Sequence, residues 1–214
     1  RRKTLWAAGG MFAQQICGII FFYNYGVVFA EEIGVSQPFT ISLITMILQI
    51  FAVAAAVLTG NTLRRRVNLL CSTGLIFVAY LIVGGVGAQK TLNTSSKYLI
   101  VVFSYIVICA YNFGQGPLTY QITRELAVGP NQNKIMSVSI VALYFFLWLI
   151  SFTAPYLYTS AGLGPKVAFV YAGGTIFSLI WVWFGAPETK GRSSLDIENL
   201  FHLGIPARKW GDYV

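Results

Sequence analysis

Six stretches of this chain are apolar for long enough, or nearly so, to cross a bilayer, and they leave little else to fold. They run over 5–30, 39–58, 68–86, 98–122, 135–158 and 167–185. A helix needs about 20 apolar residues to traverse the hydrocarbon core. None of the six shows the alternation of apolar and polar residues that marks a barrel strand. Only 10% of the residues are charged, against about 25% in soluble domains, which is too few to coat a globule in water. The predicted fold class is therefore all-α, a polytopic bundle of six transmembrane helices whose solvent is the lipid bilayer. Residues 1–4 form a lead-in and 187–214 a tail.

Charge placement orients the bundle. Of the fifteen basic residues, Arg1, Arg2, Lys3, Arg64, Arg65, Arg66, Arg124, Lys134, Lys190, Arg192, Arg208 and Lys209 fall on one side. Only Lys90, Lys97 and Lys166 fall on the other. The positive-inside rule makes the richer side cytoplasmic, with both termini there. The net charge of +8 then reads as a topology signal and an attraction for acidic lipid, so nucleic acid is not expected as a partner. Asn93-Thr94-Ser95 fits the N-glycosylation pattern in a loop assigned outside. Arg1 stands where a start Met is expected, and no leader-cleavage pattern follows it. The chain accordingly reads as a piece of a longer one.

Chemistry-bearing residues are sparse. Cys17, Cys71 and Cys109 each sit inside an apolar stretch, without metal-ligand or redox spacing. The only histidine, His202, lies in the tail, where residues 194–203 carry the spacing of a short amphipathic helix. Catalysis requires titratable groups within reach of one another. No enzyme, metal or cofactor is expected.

Pro187-Glu188-Thr189-Lys190-Gly191-Arg192, directly after the sixth stretch, resembles the sugar porter family of the major facilitator superfamily. The tail that follows, from Asn199 to Lys209, is similar to that of fungal maltose (α-glucoside) permeases. Gln14-Gln15-Ile16-Cys17-Gly18 resembles the family's glutamine motif. Gly114-Gln115-Gly116-Pro117, with Glu125 beyond it, resembles the broken tenth helix. The chain departs from the pattern at Ile20, at Tyr120, at Val141-Ala142-Leu143 and at Gln132-Asn133-Lys134. The resemblance covers nearly the whole chain but only the second half of such a transporter. It implies a six-helix N-terminal half as partner, a sugar substrate such as maltose, proton-coupled uptake by alternating access, and a plasma-membrane location. The alternatives are a transport-inactive half-protein and a carrier of another sugar or polyol.

Within that frame the polar residues at membrane depth become candidates for substrate binding: Gln14, Gln15, Asn24, Tyr25, Asn112, Tyr120 and Gln121. A carboxamide both donates and accepts, which suits sugar hydroxyls and equally suits a hydrogen bond to a neighbouring helix. Gly114, Gly116 and Pro117 are the expected helix break, since proline lacks an N–H and crowds the preceding turn. Arg64, Arg65, Arg66, Glu125, Lys134, Glu188 and Arg192 form the charge network that the resemblance places at the cytoplasmic gate. No acid lies deep within a stretch; Glu31, Glu32 and Glu125 stand at edges. This part therefore offers no embedded proton relay.

Overall fold

The computed structural model describes residues 2–32, 37–60, 62–89 and 93–212, with the side chains of 25–30, 32, 38 and 212 outside that description. Helix dominates it. The elements are α1 (Arg2–Ile16), α2 (Ile19–Glu32), α3 (Pro38–Thr59), α4 (Arg65–Gly87), α5 (Thr94–Ala110), α6 (Gly116–Leu126), α7 (Gln132–Pro155), α8 (Val167–Gly185) and α9 (Ser194–His202). A π-helical turn, Tyr111–Gln115, joins α5 to α6 without interruption, and a second, Tyr156–Ser160, extends α7. Backbone groups have no water to turn to in hydrocarbon, so helices, which satisfy them internally, are the form these stretches must take.

Five helical stretches are long and apolar enough to cross a bilayer unbroken: 39–59, 65–87, 94–126, 132–160 and 164–185. The remaining stretch, read from sequence as one run over 5–30, is divided. Gly18 adopts φ +71°, a left-handed conformation open to glycine at little cost, and separates α1 from α2. A Cβ at Gly18 would lie 2.0 Å from the Tyr171 ring. The carbonyls freed at such a break need partners. Tyr80 on α4 supplies one, its hydroxyl donating to the Cys17 carbonyl at 2.7 Å.

The bundle is apolar on the outside as well as within. Along α3 the side chains of Leu43, Ile50, Phe51, Val57 and Leu58 are exposed. In water a face of that extent would be an aggregation site; against acyl chains it is the solvated face. Inside, α1 packs on α6, α7 and α8, while α4 packs on α5 and α8. One core gathers Phe21, Phe22, Tyr80, Tyr158 and Tyr171. Another joins Leu69, Ile122, Leu126 and Val182 to Ile197, Leu200 and Trp210 of the tail. The protein is a helical polytopic membrane protein.

Tail and bundle are fastened together. Lys3 pairs with Glu198 at 3.2 Å and also donates to the Val128 carbonyl. Trp210, fully buried, packs against Trp6 and Phe201 and accepts a hydrogen bond from Arg192 on its carbonyl. The second core thereby continues beyond the last apolar stretch.

Candidate functional site

Two polar groupings emerge from the packing. The first is a seam of uncharged groups that runs from the exposed Tyr23 and Asn24 to the buried Gln14. Ser151 on α7 accepts a hydrogen bond from Asn24 on α2 at 2.9 Å. One residue earlier, Tyr23 accepts from Asn112 of the π turn at 2.8 Å. Tyr111, on the same turn, accepts from Gln14 on α1 at 2.9 Å, and Gln14 also donates to the Gly116 carbonyl at 3.3 Å. Four segments are thus tied by side-chain amides and hydroxyls.

The π turn makes this possible. Its wider register sends the Gly116 N–H to the Tyr111 carbonyl, five residues back, and seats Pro117 without a sharp break. The expected interruption at Gly114, Gly116 and Pro117 is therefore corrected to a π-helical turn within a continuous helix. Such turns relax the proline clash by adjusting the hydrogen-bond pattern. Gly114 is needed for close approach, since a Cβ there would come within 1.9 Å of the Ser72 hydroxyl.

Gln115 is the residue that sequence reading passed over. It is almost fully buried and donates to Ser178 on α8 at 2.6 Å and toward the Ala13 carbonyl at 3.4 Å. The signal was present, because it is an amide inside an apolar helix, but it was absorbed into the glycine-proline motif. Gln14 and Gln15 are each 3% exposed, and the Oε1 of each is buried without a hydrogen-bond partner among the described residues. Tyr120, by contrast, is 41% exposed on α6, and Gln121 follows it half-buried. The Tyr25 side chain lies outside the described residues. The structure therefore brings Gln14, Asn24 and Asn112 into one bonded system, with Tyr120 and Gln121 outside it.

Beside the seam, an open groove of about 540 Å³ runs along α7, lined by Trp148, Ser151, Phe152, Tyr156 and Thr159 among others. Trp148 and Phe152 stack at 5.7 Å. The sequence marks Val141-Ala142-Leu143 only as a departure from the family pattern, and the aromatic and hydroxyl surface begins about two turns later, at Trp148.

The second grouping is ionic and lies where α4 begins and α6 and α8 end. Glu188 accepts from the backbone N–H groups of Arg65, Arg66 and Lys190, each at 3.2 Å. Its carboxylate caps the start of α4 from another segment, where orphan donors and the helix dipole favour an anion. Arg65 pairs with Glu125 at the end of α6 and donates to Thr189 at 3.1 Å. Arg66 turns to the backbone carbonyls of Trp183 and Ala186. The charges expected at a gate thus resolve into a smaller set: Arg65, Arg66, Glu125 and Glu188, with Thr189 added. Arg192 is held by the Trp210 carbonyl and Arg64 lines the adjoining pocket. Lys134 makes no ion pair among the described residues and lines a separate groove beside Lys3 and Asn131.

With this geometry the comparisons can be read. The model of the family described as "Sugar (and other) transporter" matches residues 1–201. The chain belongs to that family. Similar proteins include the high glucose sensor of Saccharomyces cerevisiae, 26% identical over 92% of this chain and 27% of the sensor. A low-affinity glucose transporter of the same yeast is 24% identical over 94% of this chain and 36% of its own length. A probable glucose transporter of Neurospora crassa is 26% identical over 94% and 35%. The chain thus spans about a third of the length of these relatives. Their names specify glucose, whereas the tail resemblance pointed to maltose permeases. Family membership sets the chain among transporters rather than enzymes, and the π turn and Gly18 break become features of a sugar-transporter bundle.

Proposed function

We propose that this chain is the C-terminal half of a twelve-helix carrier that moves a glucose-containing sugar by alternating access. The observation that supports this reading is the uncharged seam from Ser151 to Gln14, at whose end the buried carboxamide oxygens of Gln14 and its neighbour Gln15 have no partner among the described residues. A buried acceptor left unpaired costs about 1–3 kcal/mol. A sugar hydroxyl arriving as the helices rearrange would remove that cost at Gln14 and Gln15. Aromatic faces along α7, together with Tyr120, suit the apolar face of a pyranose ring. The tail resembles α-glucoside permeases and the relatives are named for glucose; the glucose unit is common to both, and maltose is the first disaccharide to try. Neutral polar groups at segment breaks are how such carriers form a site near the membrane midplane.

The Arg65–Glu125 pair and the Glu188 cap would serve as half of a cytoplasmic gate, with both termini inside and the carrier in the plasma membrane. Proton coupling is assigned to the N-terminal half, because no carboxylate lies deep in the described spans.

Uptake of labelled glucose and maltose by cells expressing the complete protein tests the reading. Gln14→Ala should lower uptake at least tenfold, and a protonophore should abolish accumulation. Unchanged uptake in Gln14→Ala removes that residue from the site. The intact protein should weigh about two to three times 23.6 kDa, much of the added mass being hydrophobic. A mass near that of this chain alone would leave the transport-inactive half as the better reading. The likeness to a glucose sensor favours a second reading, a receptor that binds without flux. Glucose binding with no uptake would select it.

A further inference from the structure

At the ionic end of the bundle a concave pocket of about 390 Å³ is lined by Arg64, Arg66, Lys190, Arg192 and Arg208 against the carboxylate of Glu188. That carboxylate is already engaged by three backbone N–H groups. Arg66 and Arg208 crowd the same indole, their guanidinium carbons 5.8 and 4.8 Å from the Trp183 ring. Five cations in one concavity repel each other, and partial burial weakens the screening that would relieve them. The lining carries five basic side chains against one carboxylate, and a phosphate group is an anion whose oxygens accept paired N–H bonds from guanidinium forks.

The position of the pocket identifies the bearer of that phosphate. Val67 lines it, and Val67 and Trp183 are 52% and 45% exposed. Both stand at the ends of helices long and apolar enough to cross the membrane. Tryptophan favours the level of the lipid headgroups. The pocket therefore opens where a bilayer changes from acyl chain to headgroup. A phospholipid can place its phosphate among the arginines and run its chains past Val67 and Trp183. A free phosphate gains only the first contact. We propose that this pocket is a binding site for the headgroup of an acidic phospholipid.

The test uses the complete protein, purified in detergent and titrated with dioleoyl phosphatidylserine, with dioleoyl phosphatidylcholine and, separately, with inorganic phosphate, adducts being read by native mass spectrometry. Phosphatidylserine should be retained in preference to phosphatidylcholine. Half-saturation should rise about fivefold in Arg64→Gln and in Arg208→Gln, the effect of one basic residue near an acidic surface. Lys134→Gln, which removes the same charge from a different groove, should leave it unchanged. Arg208→Lys, which keeps the charge, provides the reading if Arg208→Gln does not fold. Equal retention of the two lipids, or an equal loss in Lys134→Gln, overturns the proposal. So does inorganic phosphate bound as tightly as the lipid, which would make this a free-anion site. Sugar uptake does not enter the measurement, so this result and the transport result can fail independently.

Discussion

The uncharged seam of the bundle and the cluster at its charged end both tie helices together through polar side chains, yet they share almost no residue types. The seam uses amides and hydroxyls: Gln14, Asn24, Asn112, Gln115, Ser151, Ser178. The cluster uses arginines and carboxylates: Arg65, Arg66, Glu125, Glu188. Depth explains the division. An ion at the bilayer centre is costly under any scale, whereas a neutral amide can be satisfied by one or two neighbours. Interhelical bonds between neutral groups in membranes are correspondingly weak, about 0.6 kcal/mol on average, so they can be exchanged for a ligand. Ionic contacts at the rim, formed outside the hydrocarbon, can hold a conformation without paralysing it. Under the proposed function, a bundle that both binds and switches gains from keeping the two kinds apart.

Both networks rely on the backbone being where it is, and the largest effect should come from disturbing that. Gly18→Ala forces a side chain into a left-handed conformation, at about 1–2 kcal/mol, and drives its Cβ into the Tyr171 ring 2.0 Å away. Expression and thermal melting of the purified protein should both fall steeply. Gly114→Ala should act likewise through Ser72, and Gly114→Ala with Ser72→Gly should recover part of the loss. If Gly18→Ala melts with the parent, the division of the first stretch is wrong.

The next two substitutions weigh the networks against each other. Glu125→Gln removes the charge facing Arg65, whose side chain is only 9% exposed, and should cost roughly 1–3 kcal/mol, the range for hydrogen bonds to charged groups. Gln115→Leu removes the amide from Ser178 and the Ala13 carbonyl and fills its space with hydrocarbon. Its cost should stay below about 1.7 kcal/mol, the ceiling measured for such bonds in membranes. Parallel denaturation of the two variants gives the ranking. A larger loss for Gln115→Leu would reverse the comparison and make the uncharged seam the principal tie.

How much of this could be read beforehand follows from the same physics. Hydrocarbon imposes length and hydropathy, so the helical class and the five unbroken apolar helices were legible. The division at Gly18 was not, because Cys17-Gly18 lies in an unbroken apolar run with no proline, and only the Tyr171 ring and the Tyr80 hydroxyl reveal why the chain turns there. At Gly114–Pro117 the composition announced an irregularity without distinguishing a break from a π turn, which differ only in where N–H groups point. Charged positions were legible as a set. Their pairing was not: Glu188 reaches the start of α4 across 123 residues of sequence separation, and nothing local marks Lys134 as the one that stays apart.

The smallest predicted effect tests whether charge at the rim also matters where the carboxylate itself is exposed. Asp196 closes a capping box at the start of α9, accepting from the Ser193 hydroxyl at 2.7 Å and the Ser193 N–H at 3.0 Å, while Ser193 accepts from the Asp196 N–H. These hydrogen bonds, the hydroxyl first, hold the carboxyl below the ordinary aspartate range. A carboxylate whose folded pKa is depressed contributes stability above its unfolded pKa and loses it as pH falls through the folded one. Hydrogen exchange across 194–202 should therefore be slow at neutral pH and quicken, relative to the intrinsic rate, only below the usual carboxylate range. Asp196→Asn should remove that pH dependence and leave the rest of the bundle untouched. An unaltered profile in Asp196→Asn would mean that α9 is held instead by Ile197 and Leu200 in the core, and that at this end of the molecule packing outweighs charge.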